Sequence, residues 1–206
     1  MGALSSLPGQ DAAGLRVHLP GDPRRAEVEA FIRKVYADRY GASVASFAPV
    51  LVSLADASGA LAAAAGYRCA DAEPLFLERY LASPVEEALA DGAGRKPARA
   101  QVVEVGHLAA AQAGAGRRLV LLLGPHLARQ RFRWAVATLT RELLQLFGRI
   151  GIAPLALAPA DPARLGSDAA LWGSYYEHDP VVLAGEILPA LRRLERRAPG
   201  ANGAAE

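Results

Sequence analysis

Two stretches of the chain bring together residue types that can do chemistry. The first, QVVEVGHLAA from Gln101 to Ala110, is an apolar run interrupted by one acid, Glu104, and one histidine, His107. Alternation along a strand sends Val103 and Val105 to one face and Glu104 to the other. Glu104 therefore faces either a cleft or a buried partner, with Arg68 and Arg79 as candidates for an ion pair. A carboxyl desolvated in a cleft has a raised pKa and can act as a general base. His107 falls on the opposite face of a regular strand, where it is structural; a bulge would turn it into the cleft. Directly afterwards, in AQAGAGRR, Gly114 and Gly116 precede Arg117 and Arg118. Backbone N–H groups at a helix start attract anions, glycine lets a phosphate approach them, and the guanidinium fork binds two oxygens at once. The second stretch, from Trp172 to Asp179, carries Tyr175 and Tyr176 in a loop after Gly173. Their hydroxyls either donate protons or, with Trp172, merely cap a sheet edge.

The elements that must position these groups are legible in outline. From Gln101 to Ile152 the pattern reads strand, glycine turn, leucine-dense helix, short strand (Trp134, Val136), helix, and a stop at Gly151, which is one βαβα unit. Pro125 inside the first of these helices predicts a kink or break near Gly124. Between Glu104 and Asp161 the block holds seven arginines (Arg117, Arg118, Arg129, Arg131, Arg133, Arg141, Arg149) and one acid, Glu142. That is +6 locally against +2 overall: an anion site, or a solvated basic face. Upstream, RVHL (Arg16 to Leu19) is a short strand. Asp22 with Pro23 predicts a helix start, and Val28, Phe31, Ile32, Val35 and Tyr36 form its apolar stripe up to Gly41. Pro49–Asp56 and Ala60–Ala70 flank a Ser58-Gly59 turn and read as a hairpin, although the second arm is alanine-rich. LFLERYLASPVEEALADG gives a helical face (Phe76, Tyr80, Leu81) and a short helix after Pro84, and 91–99 is a mobile loop. Leu155–Pro159 and Pro180–Ile187 complete the strands. Residues 1–13 are expected to be disordered, 14–190 to form one domain, and 191–206 a frayed basic helix end and disordered tail.

Composition narrows the function classes. A chain of 206 residues with 52% hydrophobic content suits one globular domain with a substantial core. A net charge of +2 is no footprint of a nucleic-acid binder; the basic residues fit a small anionic ligand or one acidic partner better. The single cysteine, Cys69, allows no intrachain disulfide, and no cluster has metal-ligand spacing. No apolar run approaches the about 18 residues of a membrane helix, and the first residues resemble no secretory signal. The cytoplasm is the expected location.

The order of elements, with its glycine turn after the central strand, resembles the GNAT acyltransferase fold. PLFLERYL, VEVGHLA, TLTRELLQLFGRIG and WGSYYEHDPVV resemble the motifs of the thermostable hemolysin family over roughly residues 20–187. VEVGHLA is also similar to the central strand of acyl-homoserine-lactone synthases, which are GNAT-like and take acyl groups from an acyl carrier protein. The resemblance implies an α/β fold with a mixed, splayed central sheet flanked by helices on both faces. It implies an acyl thioester, on a carrier-protein phosphopantetheine or on CoA, held by Val105, Gly106 and Leu108 and by the turn Gln112, Gly114, Gly116, Arg117 and Arg118. The turn is one residue shorter than the usual GNAT phosphate loop, and a carrier protein, presenting only a phosphopantetheine, needs less of it. Within that reading an acidic acyl carrier protein and a small amine are the partners, with no membrane insertion. Glu104 and His107 are acid–base candidates, and Tyr175 or Tyr176 protonates the departing thiolate. Glu78, Arg79, Tyr80, Trp172 and Ser174 are substrate-binding candidates, Glu78 and Arg79 being alternatively a solvated helix face. The expected function is N-acyl transfer to an amine, in keeping with a specialised biosynthetic pathway. A membrane-lytic protein, as the family name suggests, and a non-catalytic GNAT-like scaffold are the alternatives.

Overall fold

The computed structural model describes residues 14–90 and 94–197. The expected disordered start (1–13), part of the expected mobile loop (91–93) and the end of the tail (198–206) lie outside the described residues.

Strand β1 (Arg16–His18) leads into helix α1 (Arg25–Tyr40). The helix starts later than Asp22-Pro23 predicts. Asp22 stays in the preceding turn, where its Oδ1 accepts the Arg24 N–H at 2.8 Å and the side chain lies 3.3 Å from His18 Nδ1. Of the expected stripe Val28, Ile32 and Tyr36 are buried and Phe31 and Val35 half-buried, Tyr40 is buried beyond it, and Gly41 ends the helix in the left-handed region at φ 65°. Strands β2 (Val50–Ala55) and β3 (Leu61–Cys69) form the hairpin, its turn held by Asp56 Oδ1 accepting the N–H groups of Ser58 and Ala60. The alanine-rich arm is a strand because β3 is paired on both sides and Ala62–Ala65 are buried on both faces, so neighbours override alanine's weak strand propensity.

A 3-10 turn (Phe76–Tyr80) and short helix α2 (Val85–Ala88) precede β4 (Val102–Ala110), α3 (Ala115–Arg129), β5 (Trp134–Leu139), α4 (Arg141–Arg149) and β6 (Leu155–Pro159). Two further 3-10 segments, Pro162–Trp172 and Tyr175–His178, lead to β7 (Val181–Glu186) and α5 (Ile187–Arg197). Of the kink or break expected near Gly124, the break does not occur: α3 runs unbroken through Pro125. Burial of Leu119, Leu123, His126 and Leu127 along one face outweighs the about 3 kcal/mol cost of an interior proline.

The seven strands form one mixed sheet in the order β1-β2-β3-β4-β5-β7-β6, with β4 and β5 the parallel pair. Alternation sorts the faces. Val52, Leu54, Ala63, Ala65, Tyr67, Val103 and Val105 pack towards α3 and Ile187. Leu51, Ala64 and Ala109 pack towards α1, and Val102, Val136 and Val182 towards the Phe76–Tyr80 turn and α2. The β4–β5 ladder contains three pairs, Val102–Trp134, Val103–Ala135 and Glu104–Val136. Beyond Glu104 the two strands diverge towards their C-terminal ends, while β5 stays paired with β7 up to Leu139–Val181. A cleft therefore opens in the middle of the sheet, and α3 and α4 both begin at its open end.

The seven arginines do not gather at that opening. Arg117 and Arg118 sit at the start of α3, with the Arg118 guanidinium near Gly14. Arg141 pairs with Asp179 at the start of α4. Arg129, Arg131 and Arg133 lie at the opposite end of α3, and Arg149 ends α4. Charge counted along the sequence is spread by helix length over both ends of the molecule.

Candidate active site

Beside the divergence of β4 and β5 lies a cavity of about 390 Å³. Its floor is the sheet face carrying Glu104, Gly106 and Arg68. Glu104 and Arg68 stand directly opposite each other on β4 and β3, and so do Gly106 and Gly66. Of this glycine pair Gly106 leaves the sheet bare, since a Cβ there would meet nothing within 4 Å, whereas Gly66 is covered: a Cβ there would press on Ala48, Leu51 and the His107 ring at 3.0 Å.

Glu104 is 6% exposed. Its carboxylate accepts the backbone N–H groups of Phe76 and Leu77, at 2.8 and 2.9 Å, and lies 3.4 Å from Arg68 Nε. Both readings of this residue therefore have a basis in the geometry: it lines the cleft and it has an ion-pair partner, Arg68 rather than Arg79. Burial raises its pKa above the ordinary value, against the opposing pull of the Phe76 N–H, Arg68 and the Leu77 N–H.

His107 lies in the cleft wall because the strand is bulged. The pairing shifts between Gly66–Gly106 and Ala64–Ala109, which inserts one residue into β4, and His107 adopts φ 53°. The extra residue reverses the alternation, so Leu108 joins the α3 face and Ala109 the α1 face. The imidazole packs against the Phe47 ring with centroids 5.2 Å apart and the planes tilted by 40°. Burial, helped by nearby Arg68, lowers its pKa to about 4, against a backbone hydrogen bond with Ser46. It is neutral at physiological pH. Its Nδ1 is buried with no hydrogen-bond partner among the described residues.

The wall opposite the sheet is aromatic and comes from three segments. Tyr36 extends from α1, Phe76 and Tyr80 from the 3-10 turn, and Trp172, Tyr175 and Tyr176 from the segment before β7. Gly173 allows that last approach. At φ 53° and ψ −129° it packs against the end of α1 so closely that a Cβ would sit 2.0 Å from the Tyr40 carbonyl oxygen. Tyr175 is buried among Tyr36, Tyr40 and Trp172 and donates its hydroxyl to the Thr138 carbonyl at 3.2 Å. Tyr176 meets Tyr80 hydroxyl to hydroxyl at 2.6 Å.

The other expected substrate residues divide. Arg79, Tyr80 and Trp172 line the cavity. Arg79 packs over the Phe76 ring and donates through Nη2 to Asp168 at 3.0 Å and to the Leu165 carbonyl at 3.4 Å. Glu78 faces away, into a shallow depression with Glu86 and Arg99. It accepts the Leu75 and Val85 N–H groups and two contacts from Arg99, which more than offset burial and hold its pKa low. It pins the turn that carries Arg79 and Tyr80. Ser174 donates its N–H and its hydroxyl to the Tyr40 carbonyl, which fixes the aromatic loop rather than lining the cavity.

Of the residues expected around the thioester arm, Val105 and Gly106 border the cavity and Leu108 lies on the α3 side of the sheet. Gly114 stands before α3 at φ 80°, Gly116 packs on Ala110, and Arg117 and Arg118 are exposed. Gln112 donates to Asp56 Oδ2 at 2.8 Å, which ties the turn to the β2–β3 hairpin. A second chamber, of about 120 Å³ and lined almost wholly by apolar residues, lies on that face between Leu123, Leu127, Phe147, Ile187 and Leu191. Val105 borders both chambers, and across the gap the successive β5 residues Ala137 and Thr138 border one each. Among the described residues no group of histidine, cysteine and acidic side chains is placed to hold a metal.

The family model described as thermostable hemolysin matches residues 18–191. The chain belongs to that family. Among curated proteins none matches this thermostable hemolysin family member. Among solved structures it is similar to TofI, crystallised in a ternary complex with an inhibitor and MTA, at 21% identity and a TM-score of 0.59 over 86% of this chain and 96% of the other. It is similar to FeeM, an N-acyl amino acid synthase from uncultured soil microbes, at 15% identity and 0.58 over 87% and 98%. It is also similar to MesI, a CoA-dependent acyl-homoserine lactone synthase, at 16% identity and 0.56 over 92% and 97%. The shared feature is the fold: the mixed, splayed GNAT-like sheet expected from the sequence.

Arg68, Tyr36, Phe76, Thr138 and Asp168 also line the cavity and were not singled out as substrate residues from sequence. The register of the β2–β3 hairpin against β4 would have revealed Arg68. Phe76 was legible only as part of a helical face, which the structure forms as a 3-10 turn, and Asp168 arrives through an irregular segment that carries no local signal.

Proposed function

We propose that this protein is an N-acyltransferase that moves an acyl group from a phosphopantetheine thioester, on a carrier protein or on CoA, to an amine. One observation supports this most directly: the gap between β4 and β5 lies between a polar, aromatic-walled cavity on one sheet face and an apolar chamber on the other. A thioester carbonyl set in that gap would direct its acyl chain to the apolar side and face an amine on the polar side. FeeM and MesI are named for acyl transfer, which agrees with this division. The acceptor class of FeeM, an amino acid, suits a cavity that offers Arg68 and Arg79 beside aromatic rings.

In the reaction the neutral amine nitrogen attacks the thioester carbon and the C–S electron pair passes to sulfur. Glu104, its pKa raised by burial, takes the proton the amine sheds. Backbone N–H groups of β4 beyond Glu104, where the ladder to β5 has ended, support the oxyanion. The turn Gly114–Gly116 with Arg117 and Arg118 holds the phosphate of the arm at the start of α3. Measuring free thiol and product mass, with octanoyl-CoA and an octanoyl carrier protein as donors against a panel of amino acids and simple amines, tests the reading. Amide product with at least one donor is expected. No thiol release, together with no binding of either donor by calorimetry, would sink it.

A further inference from the structure

A second carboxylate stands behind the turn that meets Glu104. Phe76 donates its N–H to Glu104 Oε2 at 2.8 Å and Leu77 donates to Oε1 at 2.9 Å, so each oxygen of the candidate base has one backbone partner. Glu78, in the same 3-10 turn, points the other way. It accepts the N–H of Leu75, just before the turn, and that of Val85, at the start of α2, both at 2.9 Å. Arg99 closes the arrangement. It opens the short 3-10 turn (Arg99–Gln101) that leads into β4, and its guanidinium forks onto Glu78 at 2.7 and 3.1 Å. Its Nη1 also donates to Glu86 of α2, and its Nε to the Ala70 carbonyl at 2.8 Å, just past the end of β3. The turn is thus tied back to the ends of the two strands that carry Arg68 and Glu104. Neither Glu78 nor Arg99 lines the cavity.

We propose that Glu78 and Arg99 are positioning residues for Glu104: their clamp holds the Phe76 and Leu77 N–H groups on its carboxylate, and those two bonds favour the ionised form that accepts the amine proton. This role rests on the acyl-transfer reading of the cavity. Burial favours the neutral acid, and the two N–H donors offset part of that. The other groups whose charge acts on Glu104 are Arg68 on β3, which also meets Glu73, and Glu78 and Tyr80 on the turn. Arg79 is paired with Asp168, His107 further along β4 is neutral, and β5 opposes Glu104 with uncharged Val136. Position and charge then pull in opposite senses. The negative charge of Glu78 disfavours ionised Glu104, so cancelling that charge alone would move the Glu104 titration down. Letting the turn slip from Glu104 moves it up.

The test compares Glu78→Gln and Arg99→Lys with wild type. Glu78→Gln cancels the charge and leaves one of two N–H groups without an acceptor; Arg99→Lys keeps the charge and loses the fork. The kcat/KM profile against pH is measured with octanoyl-CoA as donor and semicarbazide, whose nitrogen stays neutral through the range, as probe acceptor. In both variants the acid limb is expected to move up by about one pH unit, with the plateau within about threefold of wild type. A limb that stays in place, or moves down in Glu78→Gln, would overturn the proposal, whatever the variants lose in stability. A second readout needs no turnover. With glutamate 13C-labelled at the side-chain carboxyl, and the Glu104 signal assigned by its loss in Glu104→Gln, the titration midpoint is expected to rise in both variants. An unmoved midpoint overturns the clamp. Should Glu78→Gln not fold, Arg99→Lys carries both readouts. A wild type that turns over with no donor and acceptor would instead sink the acyl-transfer reading, while the carboxyl titration still reports on the clamp.

Discussion

Glu104 and His107 stand three residues apart on β4 and burial acts on them in opposite senses. For the carboxyl, losing water favours the neutral acid, so the base-competent form appears only above the ordinary glutamate range of about 4.3. The kcat/KM profile for acyl transfer is therefore expected to show an acid limb displaced upward from that value. Glu104→Gln should remove the limb and lower the plateau by about 100-fold or more, and a limb that survives the substitution would assign it to another group. For the imidazole, losing water also favours the neutral form, and the folded pKa of about 4 lies below the unfolded value of 6.5. A depressed folded pKa contributes stability above the unfolded value, lost as pH falls from 6.5 towards 4. The span corresponds to an order of 3 kcal/mol. Asparagine tolerates positive φ and does not titrate, so His107→Asn should lose less stability than wild type between pH 7 and pH 4. Urea midpoints at those two pH values measure the difference; parallel losses would place the titrating group elsewhere.

The elements that build the cavity differ in how far residue patterns specify them. The period-2 run around Glu104, the Ser58-Gly59 hairpin and the stripe of α1 each have a local cause, and all three form as expected. The bulge at His107 has none: it depends on β3 pairing out of step with β4, and although histidine tolerates φ 53° better than most residues, its type alone does not place a bulge. Glu104 was legible as an acid on an apolar strand, but its contacts with the Phe76 and Leu77 N–H groups come from an irregular turn packed there by tertiary contacts. The part of the aromatic wall that precedes β7 likewise depends on tertiary contacts, the close approach of Gly173 and the hydrogen bonds of Ser174 at the end of α1. Gly173→Ala would place a methyl 2.0 Å from the Tyr40 carbonyl oxygen and 2.9 Å from the Gly41 carbonyl carbon, at a φ of 53°. A loss of about 3 kcal/mol or more is expected, with loss of the near-ultraviolet signal of Trp172. Gly166 has the same kind of backbone, φ 59° and ψ −131°, but open space where a Cβ would go. Gly166→Ala should cost about 1–2 kcal/mol and leave the Trp172 signal in place. Equal thermal shifts for the two variants would show that the contact with α1 contributes nothing.

At the scale of the whole molecule, charge at the mouth of the cleft is, under the acyl-transfer proposal, the feature that distinguishes one thioester donor from another. The opening between β4 and β5 lies at one end of the sheet, and the start of α3 presents exposed Arg117 and Arg118 there, with no acidic residue in the first turn. Arg141, which the sequence count groups with them, is already paired with Asp179, and the three arginines around the end of α3 face the opposite end. An acidic carrier protein would meet Arg117 and Arg118 over a broad surface, whereas CoA would offer its phosphates to the helix start and to the same two side chains. Exposed pairs of this kind act on encounter and are screened within about 8 Å at physiological salt. Arg117→Glu with Arg118→Glu is therefore expected to raise KM about tenfold for an octanoyl carrier protein and to reverse its salt dependence, while kcat stays near wild type. With octanoyl-pantetheine, which carries neither phosphate nor protein, the same variant should behave as wild type. A variant impaired equally on all donors would mean that the start of α3 supports the fold of the cleft rather than recognising the donor. If instead octanoyl-CoA alone is impaired and the carrier protein is not, the phosphates of CoA are the groups that this end of α3 holds.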